Sequence, residues 1–214
     1  MKFFVNFLSA FRIAASFAII GTMLGGKFVA TFILFVLAAL SDFFDGYLAR
    51  KYDVCTKLGG VMDHIGDKLL VVNTLIMLCV MLPMLGIVIF PLHIILLLVV
   101  IPSIIMIARE LYISGLREFL GTQKIEMPVP KARFSLGKIK TTMQMISLSA
   151  FLLWFVIVAS SATTFAQYLG RAWIFMFFNL LYVGIVFLWF AFVASIASAI
   201  QYTKDFTGKL KNIR

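Results

Sequence analysis

Six apolar runs, at roughly residues 12–25, 28–49, 59–84, 88–118, 141–160 and 172–201, leave this chain few ways to fold. Crossing a hydrocarbon core of ~30 Å takes ~20 apolar residues in a helix. All the runs but the first reach that length, and the first recruits residues ahead of Arg12. In lipid the backbone must satisfy its own hydrogen bonds, so only helices and closed barrels span. Runs this long and this uniformly apolar are helices. The expectation is an all-α polytopic membrane protein with six transmembrane helices. Composition agrees: 63% of the 214 residues are hydrophobic and 13% charged, with mean hydropathy +1.07. No soluble domain of this size needs so much apolar sequence. The length suits a single transmembrane domain over 1–214.

The charges sit between the runs. A net charge of +10 could point to nucleic acid. Placed in loops, these charges instead fit anionic lipid and orientation signals, so no nucleic-acid partner is expected. With the N-terminus in the cytoplasm, sixteen of the nineteen Lys and Arg residues fall inside. Only Lys27 and Arg171 fall outside, and Lys68 lies just within a span. The expected location is a bacterial cytoplasmic membrane. Arg12 interrupts the first apolar run and no small-residue cleavage site follows, so this segment reads as a retained span. Pro91 and Pro102 bend the fourth run or set its start, and Arg109, Glu110, Arg117 and Glu118 project from its end. Gly121 to Ser135, with Pro128 and Pro130, reads as a loop. Cys55 and Cys79 form no disulfide framework.

Five of the nine acidic residues lie in SDFFDGYLARKYDVCTKLGGVMDHIGDK, and four of them, Asp42, Asp45, Asp63 and Asp67, fall in one pattern. Asp42, Asp45, Gly46 and Ala49 stand at i, i+3, i+4 and i+7, one face of the second helix. Gly59, Asp63 and Asp67 stand at i, i+4 and i+8, one stripe of the third. A short link makes the two helices antiparallel neighbours, which gathers four carboxylates around a common point. Carboxylates near a membrane are costly unless paired, metal-bound or facing water. Mg²⁺ or Mn²⁺ takes hard oxygen ligands, and two such ions can clamp a pyrophosphate. Gly46, Ala49 and Gly59 leave the helix faces bare for a bulky ligand, and Arg50 offers a planar fork for phosphate. Aspartate pairs alone are a weak signal, and small residues on membrane helices usually mean tight packing. All eight in register on adjacent spans make a site.

The pattern D-x2-D-G-x2-A-R-x8-G-x3-D-x3-D resembles the signature of the CDP-alcohol phosphotransferases. NFLSAFRIA (Asn6 to Ala14), IARELYISGLREFLG (Ile107 to Gly121) and GKIKTTMQM (Gly137 to Met145) are similar to motifs of one bacterial branch. In that branch the acceptor is sn-glycerol 3-phosphate and the product is phosphatidylglycerophosphate. The resemblance implies a homodimer of six-helix subunits with a polar cavity facing the cytoplasm. It implies transfer of a phosphatidyl group from CDP-diacylglycerol to an alcohol, with release of CMP. Residue by residue, Asp42, Asp45, Asp63 and Asp67 would hold divalent metal, two ions of Mg²⁺ or Mn²⁺. Asp67 would also be the general base on the acceptor hydroxyl. Gly46, Ala49, Arg50 and Gly59 would line the CDP site. The branch commonly reads Asp-Pro-x-Ala-Asp-Lys where this chain has Asp63-His64-Ile65-Gly66-Asp67-Lys68, so His64 and Gly66 are departures. His64 lies off the aspartate stripe.

A phosphorylated acceptor needs a second anion site. Arg109, Arg117, Lys138 and Lys140 are the candidates, although basic residues here also serve topology. Arg109 and Arg117 are i and i+8, about 80° apart on a helix of ~3.6 residues per turn, so they can share a face. Competing readings are a sister enzyme acting on phosphatidylglycerol, inositol phosphate or serine, and a prenyltransferase. From another class, a divalent-cation transporter competes. The carboxylates at one membrane face and the lack of half-helix repeats argue against transport.

Overall fold

A computed structural model of the chain describes residues 2–52, 57–86, 91–122, 136–160 and 164–211. It contains α1 (Lys2–Leu24), α2 (Phe28–Tyr52), α3 (Lys57–Gly86), α4 (Leu92–Ile95), α5 (Ile101–Thr122), α6 (Leu136–Ser160) and α7 (Thr164–Lys211). A π-helical stretch, Leu96–Val100, joins α4 to α5. There is no strand among the described residues. Five segments are long and apolar enough to cross a membrane: Asn6–Leu24, Gly59–Met84, Leu92–Thr122, Ile139–Ser160 and Ile174–Gly208. A shorter apolar stretch, Phe28–Asp42, belongs to α2, itself 25 residues long. The all-α, multi-pass expectation holds. The first span does recruit residues ahead of Arg12, since α1 starts at Lys2. The loop expected before Ser135 lies outside the described residues from 123 onward.

The chain forms two compact units, Met1–Met81 with Leu148–Gly184, and Leu82–Ser147 with Ile185–Arg214. In the first, α1 turns into α2 through Gly25, Gly26 and Lys27. Gly26 adopts φ +68°, a left-handed conformation that suits glycine. The Gly26 N–H donates to the Met23 carbonyl at 3.1 Å and the Lys27 N–H to the Thr22 carbonyl at 2.8 Å. These two bonds make a Schellman cap, which satisfies carbonyls that the end of α1 would otherwise leave open. The Thr31 hydroxyl then donates to the Thr22 hydroxyl at 2.9 Å, tying α2 back to α1.

The core of this unit is aromatic. The Phe28 and Phe155 rings stack at 5.5 Å, and Trp154 meets Phe177 at 5.3 Å. Phe151 is fully buried against Gly184, where an added Cβ would stand 3.0 Å from the ring. Between apolar helices, close approach and packing replace the hydrophobic drive that water would supply, so small residues mark the contacts.

In the second unit the fourth apolar run departs from regular helix where its prolines stand. Pro91 caps the start of α4 with ψ 133°. Pro102 follows the π-helical stretch and has no N–H to offer the carbonyl of Leu98. That oxygen accepts the Trp189 indole N–H from α7 at 3.0 Å. Helix breaks are tolerated in lipid when a neighbouring side chain re-satisfies the backbone in this way. Both α6 and α7 outrun the apolar runs that foretold them. At the far end of α7, Tyr202 and Phe206 continue the helix because they lie against Arg117 and Phe119 of α5.

Trp189→Phe removes the indole donor and should destabilise the protein by about 1 kcal/mol. Combined with Pro102→Ala, which returns an N–H to the helix, the loss should shrink. Thermal denaturation in detergent of the two single variants and the double variant checks this coupling.

Candidate active site

Three helices bring charge to one point in the first unit. Asp42 sits where the apolar part of α2 ends, and Asp63 and Asp67 stand one turn apart on α3. Arg12 reaches them from α1. Its Nη1 lies 3.2 Å from Asp42 Oδ1 and 2.8 Å from Asp63 Oδ1, and it also pairs with Asp67 Oδ1. The Arg12 side chain is completely buried, whereas the three carboxylates are 45–48% exposed. Gly66 makes room for the arginine: its Cα faces the Arg12 stem, and an added Cβ would touch Arg12 Cδ at 3.4 Å. One turn further along α1, Ser16 accepts from Asn73 Nδ2 of α3 at 3.3 Å through its carbonyl. That buried bond holds α1 against α3 beside the charges.

One ligand oxygen from each of Asp42, Asp63 and Asp67 lies within 4.8 Å of the other two. Opposite ligands of an octahedral ion with bonds of ~2.0–2.1 Å are about 4.2 Å apart, so the spacing suits a hard cation. Among the described residues the three acidic side chains outnumber the one guanidinium, so the cluster has room for a further cation. The cluster could therefore hold a metal ion.

The expected gathering of aspartates thus occurs for Asp42, Asp63 and Asp67. Asp45, Gly46, Ala49 and Arg50 lie on α2, but their side chains are outside the described residues. Gly59 is buried on α3, one turn before Asp63. His64 is exposed and is not part of the cluster. Sequence reasoning missed Arg12 as the residue on which the carboxylates converge. The signal was available: an arginine inside an apolar run is costly and demands acidic partners.

The second unit holds a polar cavity of about 540 Å³. Arg109, Glu110 and Arg117 of α5, Lys140 and Thr141 of α6, and Ser198 of α7 line it. Arg109 Nη2 donates to Ser198 Oγ at 2.9 Å, and its Nη1 donates to Glu110 Oε2 at 3.2 Å. Lys140 pairs with the same Glu110 oxygen. The Arg117 guanidinium lies over the Tyr202 ring at 5.5 Å, a cation–π contact that steadies a long side chain. Among the described lining residues, three basic side chains face one carboxylate, so the cavity is basic. Of the four residues expected at an anion site, Arg109, Arg117 and Lys140 share this cavity, and the Lys138 side chain lies outside the described residues.

The chain belongs to the CDP-alcohol phosphatidyltransferase family, whose model matches residues 3–202. Among individual proteins it is similar to the "CDP-diacylglycerol--glycerol-3-phosphate 3-phosphatidyltransferase" of Rickettsia bellii (strain RML369-C). The two are 36% identical over 202 residues, 93% of this chain and 92% of the relative. The Rickettsia felis (strain ATCC VR-1525 / URRWXCal2) protein of the same name is 41% identical over 56% of this chain and 57% of its own length. A "Cardiolipin synthase (CMP-forming)" of Oryza sativa subsp. japonica is 36% identical over 66% of this chain and 43% of its own length.

Gly66→Ala should be tolerated, because a methyl group there meets the arginine stem at ordinary contact distance. Gly66→Leu should force Arg12 off the carboxylates and cost activity about tenfold or more, the usual scale for a misplaced catalytic group. A CMP-release assay on both variants separates these outcomes.

Proposed function

We infer that the protein transfers the phosphatidyl group of CDP-diacylglycerol to sn-glycerol 3-phosphate, giving phosphatidylglycerophosphate and CMP. Family membership and the relative that matches along nearly its whole length support the reaction. The observation that favours a phosphorylated acceptor is the cavity at Arg109, Arg117 and Lys140, and the name of the full-length relative supports glycerol 3-phosphate among such acceptors. Its surplus of basic groups suits a phosphate monoester dianion. An uncharged or zwitterionic acceptor would leave that charge without a counterpart. The residues over 1–214 act as one catalytic domain in a bacterial cytoplasmic membrane, as a homodimer, with the site open to the cytoplasm.

In this reading Asp42, Asp45, Asp63 and Asp67 hold divalent metal, Mg²⁺ or Mn²⁺, as two ions. Bound there, the metal would neutralise the pyrophosphate and make CMP a better leaving group. Gly46, Ala49 and Gly59 let the nucleotide approach the helix backbones, and Arg50 donates to its phosphates. The acceptor hydroxyl attacks the β-phosphate of the lipid nucleotide in a single displacement. A phosphorus–oxygen bond to the acceptor forms as the bond to CMP breaks. Asp67 takes the hydroxyl proton at a carboxylate oxygen. Its contribution is mainly positional, since a carboxylate among cations is a weak base. Arg109, Arg117, Lys138 and Lys140 bind the acceptor phosphate as charge-assisted donors. Glu110 bridges Arg109 and Lys140 through one oxygen and so fixes both.

Asp67→Asn should abolish turnover while CDP-diacylglycerol still binds. Normal turnover in that variant would remove the base assignment. Arg109→Ala should raise KM for the acceptor about tenfold or more and leave KM for the nucleotide lipid nearly unchanged. The deciding assay is CMP release from the purified protein in lipid with CDP-diacylglycerol and either metal, against a panel of acceptors. Glycerol 3-phosphate should support release and a chelator should stop it. Release only with phosphatidylglycerol, inositol phosphate or serine would overturn the acceptor assignment.

A further inference from the structure

Arg12 pairs with all three aspartates of the cluster, and its surroundings say what it does there. A single nitrogen, Nη1, contacts three carboxylates that come from two helices. In these three contacts the acceptor is Oδ1. A carboxylate held through Oδ1 still has the lone pairs of Oδ2 to offer a ligand. The arginine is wholly buried while the carboxylates are nearly half exposed, so the guanidinium backs the cluster from the protein side. Its stem is seated against Gly66 and its helix is tied to α3 through Ser16 and Asn73. These features pin Arg12 in place.

We propose that Arg12 is a positioning residue for the metal cage: it orients Asp42, Asp63 and Asp67 by their Oδ1 atoms so that they receive a divalent cation. This rests on the reading of the aspartates as metal ligands. The physical reason is mutual repulsion. Three carboxylates within 4.8 Å of one another repel, and their half-burial leaves that repulsion less screened than in bulk water. Without a resident cation they splay apart, and an arriving ion has to regather them. A permanently charged guanidinium removes that cost in advance. Partners that orient metal ligands commonly contribute ~10–100-fold to metal affinity. Arginine suits the task because its charge persists when buried, where a lysine would give up its proton more readily.

The test is Mn²⁺ binding to the purified protein without substrate, followed by electron paramagnetic resonance. Arg12→Gln should weaken Mn²⁺ binding by about tenfold or more, and Arg12→Lys should recover part of the loss. In CMP-release assays the Arg12→Gln variant should regain kcat as Mn²⁺ is raised, with KM for the acceptor unchanged. A role in general folding would give no such rescue. Gly66→Leu displaces the arginine without removing its charge and should also weaken Mn²⁺ binding, so it decides the matter if Arg12→Gln does not fold. Folded variants that bind Mn²⁺ as tightly as the parent protein, or more tightly, would overturn the proposal. A parent protein that binds no Mn²⁺ would overturn both the proposal and the metal reading beneath it. Loss of acceptor specificity in the CMP assay would touch only the acceptor assignment.

Discussion

The pairing of one buried arginine with three aspartates is the constraint around which the first unit is arranged. An unpaired arginine in a membrane-spanning helix is unfavourable by several kcal/mol, and so is each unpaired carboxylate. Neither group can be placed alone. Bringing them together requires three helix segments at one depth, with a bare surface where the arginine stem passes. Gly66 supplies that surface, and the Ser16–Asn73 bond secures the same pair of helices one turn away. The sharp turn at Gly26 sends α2 back along α1, so the end of the apolar part of α2 delivers Asp42 to the same point.

The basic cavity of the second unit follows a different logic. Among the described lining residues, Glu110 is the one acid that stands against Arg109, Arg117 and Lys140, and it bridges two of them rather than neutralising all three. Neutral partners do the remaining work of orientation, through the Ser198 hydroxyl and the Tyr202 ring. A surplus of fixed, preoriented donors is what recognition of a doubly charged anion requires. The aspartate cluster carries the opposite surplus. In the proposed function, a nucleotide pyrophosphate and an acceptor phosphate are both anions, so the aspartate cluster would need a mobile cation and the basic cavity would supply its own.

Much of this was legible in the linear chain. Long apolar runs admit no alternative to helices in lipid, so the class of fold followed from composition and length. The i, i+4 spacing of Asp63 and Asp67, and their pairing with Asp42 on the preceding helix, followed from helical geometry alone. The candidates Arg109, Arg117 and Lys140 were legible as a cationic group, although topology explained them equally well until the cavity placed them together. Other features were not legible. Pro102 could be read as a bend, but not that Trp189 would supply the donor its neighbouring carbonyl needs. That contact joins residues 91 positions apart, and no local pattern encodes it.

The sequence by itself determined the helical class, the membrane setting, the stripe of aspartates and the family. Each of these rests on periodicity or on short motifs, which survive without knowledge of the packing. Tertiary structure decided which charges meet. Arg12, read along the chain, is one cation in an apolar run; in the fold it is the point on which Asp42, Asp63 and Asp67 converge. The reason is that Coulomb energy depends on distance in space and on burial, and neither is a function of separation along the chain.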